Sequence, residues 1–318
     1  MGKPDAMKLY WNLTNECNLK CRYCYYNSGL ESRVPCCNLP KDYKEVIKDI
    51  SKNFYEIVFA GGEPLLNPKI FELIKFLKIN HLKVSLLTNG VLLNEDVCRK
   101  LIQLKVDNIA ISLNSLDIKV NDYLRGKTSQ VLAGIKNILS LRPKSMNIEI
   151  MQTITRKNIS SIKSMIKFCK QNNIDLWLGP VEINHRTKAL AELSLKHLSH
   201  VELLELEEVM KMWAKSSKDS VLLDYVSNCL AIIKNERPKK IHCPMGTKNF
   251  VLDPNGNLYP CFLRKDILLG NVYNQKIKKL LSSPKLKQQQ KNLQKGLCVR
   301  LGCICMTISN SYHPKHFI

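Results

Sequence analysis

ECNLKCRYCYYN, residues 16–27, is the stretch on which the reading of this chain turns. It holds three cysteines, Cys17, Cys21 and Cys24, in a C-x3-C-x2-C spacing. A tetrahedral ion takes four ligands, and so does a cubane cluster with one ligand per iron. Either a fourth ligand stands elsewhere, or one coordination position is left open for chemistry. Spacings of this kind let one loop wrap one face of a cubane. A zinc site completed by Cys36 or Cys37 is the competing reading.

Upstream of the loop, MKLYWNLT (7–14) reads as a strand that ends at the cysteines. Downstream, further strand patterns lie at 56–64, 83–90, 108–114, 147–155 and 175–183. Helical spacing falls between them at 41–52, 68–80, 94–105, 128–140 and 159–172. These are six βα-type units with apolar, mostly non-alternating strands, which predicts a parallel sheet covered by helices. The period does not say whether the sheet is open or curled into a barrel. In either case functional groups gather at the C-terminal ends of the strands. The cysteine loop, Gly61 to Pro64, Asn89, Asn114 and Pro180 fall there. Amphipathic helices are predicted over 198–215 and 221–235, and RPKK (237–240) reads as a connector to a Cys-rich end.

Composition bounds the class. The chain has 318 residues, 45% hydrophobic and 24% charged, which suits a soluble globular protein with a full-sized core. No apolar h-region opens it and no run approaches a membrane span, so a cytoplasmic protein without membrane contact is expected. Thirteen cysteines in a reducing compartment point to metal or catalysis rather than disulfides. Net charge is +22, and beyond residue 240 only Asp253 and Asp266 oppose twelve Lys and Arg. Compositional drift toward Lys, Asn and Ile explains such basicity, as does an acidic partner such as a peptide. Nucleic acid is not expected, because no zinc finger, RNP or helix-turn-helix signature is present.

CNLKCRYC resembles the signature of the radical S-adenosylmethionine (SAM) superfamily, C-x3-C-x-aromatic-C. AGGEP (60–64) resembles that family's second-strand motif, and the likeness continues through TNG (88–90), ISLNS (111–115), YLRGK (123–127) and ITRKN (154–158). The resemblance implies a partial (β/α)6 barrel and a [4Fe-4S] cluster on Cys17, Cys21 and Cys24. One iron would stay open for the amino and carboxylate groups of SAM. An electron delivered by an external reductant such as flavodoxin or ferredoxin would cleave SAM to a 5′-deoxyadenosyl radical, which abstracts hydrogen from a substrate. In this reading Gly61 and Gly62 let the backbone approach the methionine moiety, Glu63 accepts from its ammonium group, and Pro64 fixes the turn. Tyr23 lies near the adenine, and Ser112, Asn114, Gln152 and Arg125 are further candidates for SAM or substrate contact. Asn114 departs from the Asp that many relatives carry.

The chain's end resembles the SPASM and twitch modules of that superfamily. CPMG at 243–246, DPNGNLYPC at 253–261 and LGNV at 269–272 carry the likeness. Asn255-Gly256 is a hairpin turn that returns Cys261 toward Cys243. Cys298, Cys303 and Cys305 follow in a C-x4-C-x-C ending that departs from the family's C-x2-C-x5-C-x3-C. One auxiliary [4Fe-4S] cluster is therefore expected, on Cys243, Cys261, Cys298 and Cys303, with Cys305 as an alternative ligand or a hydrogen donor. A structural zinc is the competing reading there. The expected domains are a barrel at 1–218, a helical linker at 219–240 and the auxiliary module at 241–318.

The expected substrate is a peptide or protein side chain, modified by crosslinking, epimerisation or oxidation, with the basic C-terminal region suited to an acidic leader. A small-molecule dehydrogenase of a biosynthetic pathway is the alternative. A non-enzymatic iron–sulfur electron-transfer or binding protein is a remote one.

Overall fold

The structure, a computed structural model, describes residues 7–24, 39–40, 42–181, 192–216, 220–238 and 243–294. Strand β1 (Lys8–Thr14) shows how the chain folds, because it has two faces of different chemistry. Leu9, Trp11 and Leu13 are fully buried on one face, while Lys8, Tyr10, Asn12 and Thr14 alternate with them on the other. β2 (Glu56–Gly61), β3 (Lys83–Thr88), β4 (Asn108–Ser112), β5 (Asn147–Ile154) and β6 (Asp175–Pro180) follow the same rule. Their apolar residues, among them Ile57, Phe59, Val84, Leu86, Ile109, Ile111, Ile148 and Ile150, join one core. Helices α1 (Tyr43–Ser51), α2 (Ile70–Ile79), α3 (Glu95–Gln103), α4 (Ile118–Leu124), α5 (Thr128–Leu141) and α6 (Ile162–Gln171) connect the strands.

Strand order settles what periodicity left open. The sheet runs β6-β5-β4-β3-β2-β1, with every neighbouring pair parallel. A doubly wound sheet reverses its order at a switch point. This one never does, so successive crossovers wind in one sense and the helices share one side, as in a barrel. The barrel is partial: among the described residues β6 has a single strand partner.

That open edge is closed by side chains. Val181 donates its backbone N–H to Ile154 O of β5. Alternate residues face opposite ways along a strand, so the Leu176 and Leu178 carbonyls point away from β5. Helices α7 (His200–Ser216) and α8 (Ser220–Ile233) meet them there. Trp213 Nε1 donates to Leu176 O at 3.0 Å, and Tyr225 Oη donates to Leu178 O at 2.8 Å. Trp177, Trp213 and Tyr225 pack at 5.1–5.9 Å between ring centroids and centre a second apolar core. Tyr225→Phe removes one cap and leaves a buried carbonyl unpaired, so it is expected to cost about 1–2 kcal/mol in chemical denaturation.

The C-terminal segment extends the same sheet from the other edge. β7 (Asn249–Leu252) pairs parallel with β1, and β8 (Asn257–Tyr259) and β9 (Gly270–Asn271) continue antiparallel. The expected Asn255-Gly256 turn is present: Gly256 has φ +81°, and a Cβ there would lie 2.6 Å from the Tyr273 ring. Asp253 Oδ1 accepts from the N–H groups of Asn255 and Asn257 and braces the turn. Helix α9 (Ile277–Leu281) begins with Ile277 N–H bonded to Asp49 of α1, and α10 (Pro284–Gln294) follows. Phe250, Leu252, Leu258, Ile277, Leu280 and Leu286 all join the barrel's core. The end of the chain is thus joined to the barrel's sheet through β1. Among the described residues no helix is long and apolar enough to cross a membrane.

Candidate active site

The cysteine loop leaves the C-terminal end of β1 and is bound at once by the second-strand glycines. Gly62 N–H donates to Thr14 O at 2.7 Å, and Glu63 N–H donates to Glu16 O at 2.8 Å. Gly61 has φ +120°, and a Cβ on it would lie 2.4 Å from Thr14 O. A Cβ on Gly62 would lie 2.0 Å from Glu16 O. The glycines are therefore required by the chain itself: their Cβ directions are filled by the backbone of residues 14–16. On this side the turn packs directly against the cysteine loop.

Glu63 is fully buried. Oε1 accepts from Leu65 N–H at 3.1 Å and from Thr88 Oγ1 at 2.9 Å, while Oε2 accepts from Asn89 N–H at 2.7 Å. It also caps the short 3₁₀ turn Pro64–Leu66, which Pro64 opens. These donors tie the end of β2 to the end of β3. Burial pushes the carboxyl up to about 7, against the pull of the Asn89, Leu65 and Thr88 donors. A folded-state pKa above the unfolded one means that the folded state binds the extra proton. Glu63 therefore contributes most below about pH 4.5, and the contribution falls as pH rises toward 7. Thermal midpoints measured across that window are expected to drop less in Glu63→Gln than in the unsubstituted protein.

Asn89, expected at the functional end of the third strand, ties that end to the cysteine loop. Its Nδ2 donates to Cys17 Sγ at 3.7 Å and to Asn18 Oδ1 at 2.7 Å. Its backbone is the group held by Glu63. A chain of contacts thus runs from the β2 turn through β3 to the first cysteine.

A second clamp grips the other end of the loop, and it comes from the segment after β4. Arg22 donates its backbone N–H to Leu124 O and its Nε to Tyr123 O, and its guanidinium stacks 4.2 Å from the Tyr123 ring. Tyr23 Oη accepts from Asn114 Nδ2 at 2.7 Å and from Arg125 Nη1 at 2.6 Å. Asn114 is a hub with no solvent exposure. Its Oδ1 accepts from Thr153 N–H, and its carbonyl accepts from both Gln152 Nε2 and Asn158 Nδ2. Asn114 thus serves to hold Tyr23 and β5 together. Helix α4, which the periodicity did not reveal, carries Tyr123 and Leu124 and ends at Arg125.

Among the described residues, two buried polar atoms around this hub have no partner: Arg125 Nε and Gln152 Oε1. One is a donor and the other an acceptor, as a ligand with both kinds of group would require. Ser112 ends β4 in register with Met151 and is half-exposed.

Cys17, Cys21 and Cys24 are free thiols at half-exposed positions in this loop. Burial raises Cys17 and Cys21 above the ordinary thiol range, and the Arg125 cation opposes that rise at Cys21. Among the described residues no group of His, Cys, Asp and Glu converges tightly enough for one metal ion. Thiols spread in this way suit separate irons of a cluster better than one tetrahedral ion. The donor set and the unpartnered Arg125 and Gln152 atoms fit a three-cysteine [4Fe-4S] cluster with a polar ligand beside it.

Cys243 and Cys261 flank the β7–β8 hairpin at half-exposed positions, and Cys261 Sγ accepts from Leu263 N–H at 3.4 Å. Phe262, next in the chain, meets the edge of Tyr10 on β1 at 5.0 Å. The hairpin's cysteine end is thus seated on the strand that leads to the cluster loop. Cys298, Cys303 and Cys305, and likewise Cys36 and Cys37, lie outside the described residues. Cys98 and Cys169 are buried in the helical layer, where burial pushes their thiols up to about 11 and about 12.

Comparison with known proteins follows this geometry. A family model described as the Radical SAM superfamily matches residues 11–169. A second, described as SPASM, an iron–sulfur cluster-binding domain, matches residues 243–304. The antilisterial bacteriocin subtilosin biosynthesis protein AlbA of Bacillus subtilis is 25% identical, with 98% of this chain and 70% of that protein covered. Mycofactocin maturase MftC of Mycobacterium tuberculosis is 25% identical, with 85% and 68% covered. Pre-heme d1 synthase of Dinoroseobacter shibae is 29% identical, with 55% and 43% covered. In fold, the chain is similar to Streptococcus suis SuiB bound to S-adenosylmethionine, with a TM-score of 0.68 at 16% identity over 90% of this chain and 68% of that one.

Proposed function

The chain belongs to the radical SAM superfamily and carries a SPASM iron–sulfur module; from that premise we propose that it is a maturase acting on a side chain of a peptide or protein. The observation that carries this reading is the reach of the match to the bacteriocin biosynthesis protein. It takes in 98% of the chain, whereas the match to pre-heme d1 synthase takes in 55%. Likeness to a protein that makes a bacteriocin therefore includes the module fused to β1 as well as the barrel.

The protein binds SAM and [4Fe-4S] clusters. Reductive cleavage of SAM at the cluster supplies a 5′-deoxyadenosyl radical for hydrogen abstraction. The chain's residues hold and orient the reactants. Cys17, Cys21 and Cys24 are the proposed cluster ligands, held by the Gly61-Gly62-Glu63 turn on one side and Tyr23-Arg125-Asn114 on the other. Gln152 Oε1 and Arg125 Nε are polar groups proposed for SAM or substrate, and Ser112 at the end of β4 is a further candidate. Cys243 and Cys261 begin the auxiliary site, for which Cys298, Cys303 and Cys305 are the proposed remaining donors. An oxidising auxiliary cluster beside the barrel suits crosslinking or oxidation, in which an electron must leave the substrate. Flavodoxin or ferredoxin is the proposed source of the first electron.

The test is anaerobic incubation of the iron-reconstituted protein with SAM, dithionite and a short acidic-leader peptide encoded beside its gene. The expected result is 5′-deoxyadenosine together with a mass change on the peptide by liquid chromatography–mass spectrometry. Formation of 5′-deoxyadenosine that responds to no peptide but does respond to a small alcohol or sugar would replace this reading with the dehydrogenase alternative.

A further inference from the structure

We propose that the lysine face shared by α1, α9 and α10 docks a small acidic electron carrier, which takes away the electron that leaves the substrate through the auxiliary site. The inference rests on the reading of Cys243 and Cys261 as auxiliary-cluster ligands.

Charge gathers on this face more than composition explains. Residues 276–294 hold six lysines and no acid, and every one of those lysines is exposed. Residues 42–52 add Lys44, Lys48 and Lys52, also exposed, against Asp42, Glu45 and Asp49. Asp49 Oδ2 accepts from Ile277 N–H at 2.8 Å and joins α1 to the start of α9. Glu45, held low first by its bond to Lys48, also feels the field of Lys276. The three helices thus present one surface. Among the described residues, Lys48 is the one lysine on it in an ion pair. Compositional drift would spread lysine evenly, yet α7 carries four glutamates and two lysines.

The face lies at the auxiliary end of the barrel. The cysteine loop leaves the C-terminal end of β1, whereas the first residue of β1, Lys8, is paired with the first residue of β7, Asn249. Cys243 stands just before β7, and β8 runs antiparallel to β7 and returns Cys261 to that same end. Gln290 of α10 donates Nε2 to Gly246 O at 2.8 Å, three residues beyond Cys243. Helix α1 runs down into β2, so its last turn, where Asp49 meets Ile277, is at this end as well.

The partner's chemistry follows from what the face offers. Among its described side chains no large apolar one is exposed. A peptide segment is held by an apolar groove or by a free strand edge. A cationic face without them suits a weak, fast, salt-sensitive encounter with an acidic protein, and electron-transfer encounters are of that kind. The oxidised carrier gains one electron from the reduced auxiliary cluster, which returns to its oxidised state, and no bond between them is made or broken.

Oxidised flavodoxin is the probe, and its binding to the iron-reconstituted chain is followed anaerobically by biolayer interferometry. Affinity is expected to fall at least about tenfold between about 20 and about 200 mM salt. At the lower salt, the triple variant Lys276→Glu, Lys278→Glu, Lys287→Glu is expected to bind at least about tenfold more weakly. Lys136→Glu, Lys167→Glu, Lys170→Glu makes the same change of net charge on α5 and α6, and is expected to cost less than about twofold. Should the first triple lose iron or helix content, the three Lys→Gln changes take its place, with a loss of at least about threefold expected. The second readout uses Cys17/Cys21/Cys24→Ala protein, in which the auxiliary site is the one left. Reduced with dithionite, freed of the excess and mixed with oxidised flavodoxin, it is expected to yield the flavin semiquinone, one electron from the cluster and one proton from water. Equal weakening by the two triples overturns the proposal, because net charge would then be the cause. Failure of flavodoxin to bind overturns it too, and binding of a glutamate-rich peptide in its stead would make the face a leader site. With about four irons per chain in the alanine protein, absence of the semiquinone overturns the carrier's role. Absence of that iron would instead remove the auxiliary-cluster reading, and the proposal with it.

Discussion

Gly62→Ala is expected to remove the SAM-binding cluster while leaving the auxiliary one. The added methyl carbon would lie 2.0 Å from Glu16 O and 2.6 Å from Glu16 C, both backbone atoms. A flexible side chain could turn aside, but a peptide unit next to Cys17 cannot. Either the turn after β2 or the start of the cysteine loop must shift, and the bonds Gly62 N–H to Thr14 O and Glu63 N–H to Glu16 O are strained together. Overpacking against backbone of this kind costs about 3 kcal/mol or more. The cluster loop is the element free to give way, because β1 and β2 are locked by their ladder and by the core. Iron analysis after reconstitution is expected to fall by about four atoms per chain, one cubane's worth, and 5′-deoxyadenosine formation is expected to vanish. Retention of full iron in Gly62→Ala would mean that the loop can move without losing its ligand geometry.

The second large effect is expected at Asn114. Asn114→Ala removes the acceptor of Thr153 N–H and the donor to Tyr23 Oη at a site with no solvent exposure. One buried N–H left unpaired, together with the loss of one of the two donors to the Tyr23 phenol, costs about 3 kcal/mol. In a chain of this size that lowers the thermal midpoint by roughly 5–10 °C. The loop clamp at Tyr23 loosens at the same time, so 5′-deoxyadenosine formation is expected to fall at least about tenfold, each tenfold being only about 1.4 kcal/mol of misplacement. Asn114→Asp is the informative partner. An aspartate still accepts from Thr153, the Tyr23 hydroxyl can turn and donate to it, and Arg125 lies on the same phenol. Asn114→Asp is therefore expected to stay within about 1 kcal/mol of the unsubstituted protein. Equal losses in the two variants would show that the amide donor, rather than the acceptor, holds the hub together.

These residues mark the boundary between what was legible in the sequence and what was not. Six strands were legible because each presents a run of apolar residues to the helical layer, and observed boundaries such as Lys8–Thr14 and Glu56–Gly61 lie within the predicted runs. The order of events at the strand ends was legible too. Cysteines after β1, glycines after β2 and an Asn-Gly turn after β3 are local features of the chain. Helix α4 was missed because seven residues with Asn121 and Leu124 as the buried ones carry almost no periodic signal. The contacts of Gly62, Glu63, Asn89 and Asn114 were not legible for a different reason. Each is decided by partners far away in sequence: Glu63 by Asn89, Asn89 by Cys17, Asn114 by Tyr23.

By itself the sequence determined the chemistry. Three closely spaced thiols at the end of a buried strand, with a glycine turn on the next strand, call for a cluster with an open iron. Family membership bears out the cofactors, SAM and a [4Fe-4S] cluster. The tertiary structure decided how the thiols are held and what surrounds them. It set the uninterrupted strand order that makes the sheet a partial barrel, the pairing of β7 with β1 that fuses the auxiliary module to it, and the two clamps on the cysteine loop. The physical reason is that ligand identity is written in single residues. Register, Cβ clearance and hydrogen-bond partners depend on which strand ends the fold brings together, and no local pattern in the chain encodes that.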